Sequence, residues 1–148
     1  MSPDKIQAFR REALGLLARA PAARLTALMP ELPDHDLLRA PEIGTVMVRG
    51  RAGGTGAAFN LGEMTVTRAS VRLSQSGTVG HGYVQGRDRD HARRAALADA
   101  MVQDDPAGMD SAVLTPLRAD EAARRAATAA EAARTRVEFF TLVRGEDA

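Results

Sequence analysis

A histidine and the chain's only tyrosine stand two residues apart in the stretch GHGYVQGRD, residues 80–88. His81 lies between two glycines, and Arg87 follows where a helix would begin. Because a strand has a period of two residues, His81 and Tyr83 should share one face. Glycines on both sides of His81 would allow close approach of a second chain, and the helix start would hold an anion. An imidazole satisfied by a backbone carbonyl is an equally open interpretation of His81.

Arginine pairs are the second set of residues that could do chemistry. Arg49 and Arg51 flank the tip of a predicted hairpin, whereas Arg68 and Arg72 lie four apart on one strand and therefore on one face. Guanidinium groups bind carboxylate or phosphate through paired hydrogen bonds. We predict a surface that binds an anion or an acidic partner; a solvated outer sheet face is the alternative. Its residues would be Arg49, Arg51, Arg68, Arg72, His81, Tyr83 and Arg87.

Other catalytic chemistries find little support in the sequence. No serine occupies a strand-to-helix elbow, and His35 and His91 are interpreted as solvent-facing. Cysteine is absent and no HxH or HExxH pattern occurs, so we expect neither a metal site nor a cofactor of the chain's own. The glycine-rich segment 50–56 lacks the GK[ST] ending of a phosphate-binding loop, which favours a mobile hairpin loop.

Composition predicts one domain, residues 1–148, with a thin core. Only 3% of residues are aromatic, and alanine buries little area, so stabilisation by a partner is expected. The net charge of +1 argues against nucleic-acid binding. No long apolar run or secretion signal is evident, which favours a cytoplasmic protein without a membrane span.

The first 40 residues are predicted to form a helical hairpin. Apolar residues recur at steps of three and four from Ile6 to Ala20, after a Ser2 cap and Pro3. Pro21 ends this helix and can begin a short second one.

Residues 43–85 change to period-two alternation with β-branched residues, which predicts strands. The connections are too short for crossover helices, so consecutive strands should pair antiparallel. The predicted fold is α+β, with a four-stranded antiparallel meander whose one face is covered by helices. The strands are expected at 43–49, 57–61, 64–73 and 79–85.

Residues 88–143 are predicted to be helical. Asp88 or Asp90 should cap a helix that runs to Gln103, and Thr115 should begin a long alanine-rich one. Its alanines recur at alternating steps of four and three, a seam we expect to be buried against the sheet or a neighbouring helix. Residues 136–143 alternate as a strand would, although the continued seam favours helix.

Three long strings resemble one known family. They are GTGAAFNLGEMTVTRASVRL, GHGYVQGRDRDHARRAALADA and TRVEFFTLVRGED. The chain is similar to the G subunit of the bacterial carbon-phosphorus lyase core complex, the phosphonate-metabolism protein G family, and the likeness covers nearly its whole length.

The resemblance implies a role in phosphonate breakdown. With partner subunits, such a chain would replace the adenine of ATP by methylphosphonate and yield α-D-ribose 1-methylphosphonate 5-triphosphate. The implied partners are the H, I and J chains and an ATP-cassette-like L protein, with ATP and methylphosphonate as substrates of the complex. The family assigns no catalytic residue to this chain.

Three roles follow for the chain. The first is an assembly subunit that supports a transferase in a partner, the second is a purely structural bridge, and the third is a self-contained enzyme. The third is disfavoured because no nucleophile, metal or acid–base set is recognisable. A homodimer of the isolated chain remains open.

Overall fold

The computed structural model describes residues 2–135 of the 148. Two helices precede a long hairpin and a short third strand, and helical segments follow. The predicted strand or helix at 136–143 lies outside the described residues. The elements are α1 Pro3–Arg19, α2 Ala22–Leu28, β1 His35–Arg51, β2 Ala58–Leu73, β3 Val79–Gln85, α3 Arg89–Asp104, α4 Pro106–Met109, a π-helical turn Asp110–Leu114 and α5 Thr115–Arg134.

Helix starts follow their local signals. Pro3 occupies the first turn of α1, where a missing N–H costs nothing. Asp88 caps α3 by accepting a hydrogen bond of 2.9 Å from the His91 backbone N–H. The two N-terminal helices, the capped α3 and the start of α5 at Thr115 are confirmed. The helical hairpin, however, ends at Leu28 and not at residue 40, and the Ser2 side chain makes no capping hydrogen bond.

The prediction of four strands is wrong: residues 2–135 hold one sheet of three antiparallel strands in the order β1, β2, β3. The segments predicted at 57–61 and 64–73 form the single strand β2, because Gly62 keeps an extended backbone instead of turning. β1 also begins at His35 and not at residue 43. Pro41 is tolerated there because β1 is an edge strand, which needs no further backbone donor on its outer side.

β3 is too short to accompany the hairpin along its length. It pairs with β2 from Val66 to Arg72 only, whereas β1 and β2 stay paired to the Arg51–Ala58 end. Residues 45–65 therefore extend beyond β3 as a two-stranded segment, called the ribbon below.

The helices cover one face of the sheet, and α3 lies closest to it. A Cβ atom at Gly80 would overlap the Ala96 carbonyl, and one at Gly82 would overlap the Ala92 carbonyl. The expectation that these glycines admit another chain is therefore wrong, since the backbone that approaches them is the chain's own α3. Both alanines are fully buried, so small residues on helix and strand bring the two backbones together.

A buried carboxylate fixes α1 and β3 to α3. Asp99 on α3 is fully buried and accepts two hydrogen bonds from Arg10 on α1, at 3.0 and 2.8 Å. It also accepts the backbone N–H of His81 at 2.9 Å. Burial of a charge is tolerated here because its oxygens are satisfied by a guanidinium and an amide.

The alanine seam of α5 is exposed, so the prediction that it is buried within this fold is wrong. Leu117 is the buried residue of α5, and Ala119, Ala123, Ala126 and Ala130 are all exposed. Alanine favours helix by its own propensity, so a regular spacing of alanines does not require a packed neighbour. Glu121 and Arg125 add an i,i+4 ion pair of 3.2 Å.

Gly80→Ala should destabilise the fold by about 1–3 kcal/mol, because its methyl group enters the α3 backbone. The measurement is the free energy of unfolding in urea. Gly44→Ala is the matched control, since a Cβ there meets no atom within 4 Å and should change little. Equal stability of the two variants would contradict the close packing of α3 on β3.

Arg10→Met should leave the Asp99 charge buried without its partner and cost roughly 3 kcal/mol of unfolding free energy. Arg11→Met, on the exposed side of the same helix, is the control and should stay within about 0.5 kcal/mol of the parent. A small effect of Arg10→Met would show that Asp99 does not depend on the ion pair.

Candidate functional site

The face of the sheet opposite α3, called the outer face, carries much of the predicted site. Even-numbered residues of β2 and odd-numbered residues of β3 point to it, because Gly80 and Gly82 point to α3. Cross-strand pairing places Arg68 beside Tyr83, Ser70 beside His81 and Arg72 beside Val79. Tyr83 is 48% exposed, so this surface is open to solvent or to a partner.

Both β2 arginines already hold carboxylates of β1. Arg68 lies 3.0 Å from Glu42, and Arg72 lies 3.1 Å from Asp36. Arg39 also contacts Glu42, at 3.3 Å, so two arginines share one carboxylate. These pairs are about half exposed and are worth little as stabilisation.

Ser70 and His81 form a hydrogen-bonded pair on the outer face. The Ser70 Oγ and the His81 Nδ1 are 2.9 Å apart. The period of two that places Arg68 and Arg72 on this face also places Ser70 there, whereas its pairing with His81 depends on the strand register. Activation of a serine also needs an orienting acid and a stabilised oxyanion, and no carboxylate contacts His81's other ring nitrogen within residues 2–135. The pair offers hydrogen-bond donors and acceptors, which suits recognition better than nucleophilic attack.

The other three predicted residues lie elsewhere. Strand alternation directs Arg49 and Arg51 to the opposite face from Glu42 and Arg68. Arg51 donates to the Gly56 carbonyl at 3.1 Å and so closes the ribbon's tip. Arg87 is exposed between β3 and α3. The structure thus gathers Arg68, Arg72, His81 and Tyr83 and separates Arg49, Arg51 and Arg87 from them.

The ion pairs on this face change the pKa of Glu42. A hydrogen bond from Arg68 lowers the pKa of Glu42, its positive charge adds to the effect, and Arg39 contributes further. Glu42 is therefore ionised at neutral pH. The group of Asp36, Arg39, Glu42, Arg68 and Arg72 carries three positive and two negative charges, and we call it the charged cluster.

Two polar residues of the interior, Asp99 and His91, were not predicted correctly from the sequence. His91 is buried, and its Nε2 lies 2.9 Å from the Leu17 carbonyl, so the interpretation of it as solvent-facing is wrong. The signal for Asp99 was available: it continues the spacing of Ala92, Ala95 and Ala96 on the buried side of α3. His35 is half-buried, and its Nδ1 contacts the Pro33 carbonyl at 2.8 Å.

A groove lies between α1 and α5, and most of the charged side chains that line it are paired. Arg19 lies 2.8 Å from Glu121, and Arg118 lies 2.6 Å from Glu12. These contacts hold α5 against α1 and leave no convergent set of free polar groups.

The described part of the chain contains no cluster of metal-ligating side chains. None of its helices combines the length and apolarity needed to span a bilayer.

Arg68→Gln should raise the pKa of Glu42 towards its ordinary value, since the main hydrogen bond and charge are removed while Arg39 remains. Carbon-detected NMR of the Glu42 carboxyl during acid titration measures this. Arg72→Gln, which removes the neighbouring pair, should leave Glu42 unchanged. An unaltered Glu42 pKa in Arg68→Gln would mean that the Arg68 pair is absent in solution.

The chain is similar to known proteins over nearly its whole length. A family model described as "Phosphonate metabolism protein PhnG" matches residues 8–145. A curated relative from Rhizobium meliloti (strain 1021) is named "Alpha-D-ribose 1-methylphosphonate 5-triphosphate synthase subunit PhnG". It is 47% identical over 153 aligned positions, which cover 99% of this chain and 96% of the relative. The resemblance noted from the sequence is confirmed, and the chain belongs to the phosphonate metabolism protein PhnG family.

Proposed function

We propose that this chain is a subunit of an α-D-ribose 1-methylphosphonate 5-triphosphate synthase that acts in phosphonate catabolism. The observation that carries the proposal is the 47% identity, over nearly the full length of both chains, to a protein named as such a subunit. The family model matches residues 8–145, so the likeness is not confined to a short motif.

The reaction we propose for the complex exchanges one glycosidic substituent for another. An oxygen of methylphosphonate forms a bond to C1′ of the ATP ribose, while the bond from C1′ to the adenine nitrogen breaks and adenine leaves with a proton. ATP and methylphosphonate are substrates, and the chain contributes no cofactor. The proposed partners are the H, I and J chains and the ATP-cassette-like L protein, in the cytoplasm.

The chain's own role is to assist assembly or catalysis in a partner. Among residues 2–135, Ser70 and His81 form the nearest approach to a catalytic pair, and they lack the acid and oxyanion donors that a self-contained enzyme needs. The open outer face, with Arg68, Arg72 and His81, suits contact with an anionic substrate or with acidic side chains of a partner.

A purely structural bridge is the second candidate. It is favoured by one observation, that Arg68 and Arg72 are already occupied by Glu42 and Asp36. A guanidinium held by its own chain's carboxylate must give up that contact, or share it, before it can bind phosphate.

Adenine release from ATP with methylphosphonate tests the proposal. We expect release by the complete reconstituted set and none by the chain alone or by the partner set without it. Release by the chain alone would identify a self-contained enzyme. Equal release without the chain would remove any catalytic requirement for it.

The double change Arg68→Gln and Arg72→Gln separates the two candidates within the same assay. Both side chains are exposed, so folding should survive; adenine release should fall at least tenfold if the outer face serves substrate or a partner. Arg11→Gln with Arg93→Gln removes the same charge from helices and should retain activity. Parent activity in the outer-face variant, with the complex intact, would favour the bridge.

A further inference from the structure

The ribbon carries an apolar surface on its outer-face side. Cross-strand pairing places Val46 beside Met64, Val48 beside Gly62 and Gly50 beside Phe59. Successive side chains of a strand point to opposite faces, so residues 46, 48 and 50 share one face. Val46, Val48, Phe59, Leu61 and Met64 form what we call the apolar strip.

A β-bulge at Leu61 creates this strip. Val48 pairs with Gly62 but Arg49 pairs with Asn60, so Leu61 is an extra residue in β2. Without the bulge, the odd-numbered Phe59 and Leu61 would point to the other side from Met64. With it, the Leu61 side chain lies over Gly50, within about 4 Å of where a Cβ would be.

Among residues 2–135, Phe59 and Leu61 of the strip are exposed, whereas Val46, Val48 and Met64 are half-buried. Leu61 is 65% exposed and Phe59 is 45% exposed. A Cβ atom built on Gly44, beside Val46, or on Gly62, within the strip, meets no atom within 4 Å, so the surface is open at both positions. Contiguous exposed apolar side chains of this kind mark interaction surfaces.

The charged cluster adjoins the strip along the same two strands. It holds Arg39, Arg68 and Arg72 against Asp36 and Glu42, so one positive charge is unbalanced. An occupant that covers both regions must therefore bring apolar side chains for the strip and at least one carboxylate for the arginines.

We propose that the apolar strip docks an apolar segment bearing a carboxylate, supplied by a partner subunit of the proposed complex. This inference rests on the proposed function, because that function supplies the partner. A second copy of this chain would bring a second unbalanced positive charge to the same surface instead of the carboxylate that balances the arginines. Strand addition to the edge of β2 is opposed by the bulge, which interrupts the regular ladder that an added strand needs.

Cysteine labelling tests the strip directly, because the chain has no native cysteine. The variant Leu61→Cys is treated with a maleimide as the full-length isolated chain and again after assembly with the H, I, J and L partners. We expect labelling to slow at least tenfold on assembly. Met47→Cys, on the opposite face of the ribbon and 54% exposed, is the matched control and should slow less than twofold.

Each other outcome identifies a different occupant and overturns the proposal. Equal labelling of Leu61→Cys before and after assembly means that the strip stays open in the complex. Slow labelling of the isolated chain that depends on its concentration indicates a second copy. Slow labelling of the isolated chain that is relieved by ending the chain after Thr135 indicates its own last residues.

The acidic character of the occupant has its own measurement. Arg39→Gln should weaken association with the partner set several-fold, whereas Arg93→Gln on α3 should not; equal affinities would exclude the carboxylate. Failure of the complex to assemble at all would refute the proposed function together with this inference. Assembly with Leu61 unprotected would refute this inference alone.

Discussion

The contact between α3 and β3 is the constraint on which the rest of the structure depends. Glycine at positions 80 and 82 lets the carbonyls of Ala96 and Ala92 occupy space that any side chain would fill. Alternation then sends His81 and Tyr83 to the opposite side, so the same two glycines that seat the helix also determine which residues form the outer face. Asp99 fixes the arrangement, because it binds the His81 amide while it holds Arg10 of α1. The histidine's position and the helix packing are thus one feature of the fold.

Arginine serves three different physical purposes in this chain. Arg10 neutralises a fully buried carboxylate, where loss of the partner would be costly. Arg19 and Arg118 join α1 to α5 through exposed pairs that contribute little energy each. Arg39 and Arg68 share Glu42 on the outer face, which leaves their hydrogen-bonding capacity only partly used. Of these groups, the last lies on the open outer face beside the apolar strip, and it is the group that we propose for binding.

Local signals allowed much of the fold to be predicted, and tertiary packing explains the remainder. The Asp88 cap and the short segment 50–56 depend on neighbouring residues alone, so α3 and the first hairpin were predictable. Gly62 was interpreted as a turn because the sequence does not show which backbone angles a glycine adopts. The second and third predicted strands therefore form one strand, β2, and the fourth is β3. The start of β1 had a larger consequence: with residues 1–40 interpreted as a helical hairpin, Asp36 could not be recognised as the partner of Arg72. The sequence therefore placed Arg68 and Arg72 on the correct face but did not predict the carboxylates that pair with them. The use of this face as a binding surface remains a prediction.

The core and the ribbon place opposite demands on the same small stock of apolar residues. Alanine makes up much of the buried side of α3, and the large buried side chains are few, among them Leu17, Leu25 and Leu97. A chain of this composition would gain stability by folding Phe59 and Leu61 inward, yet the bulge at Leu61 directs both to an uncovered face. Leaving such side chains in water forgoes roughly 1.5–3 kcal/mol for each one that could be buried. Association with a partner can offset this lost stability, because a partner that binds only the folded chain stabilises it by mass action. The exposed strip and the alanine-rich core are then consistent with one another, as parts of a subunit whose stability is completed in a complex.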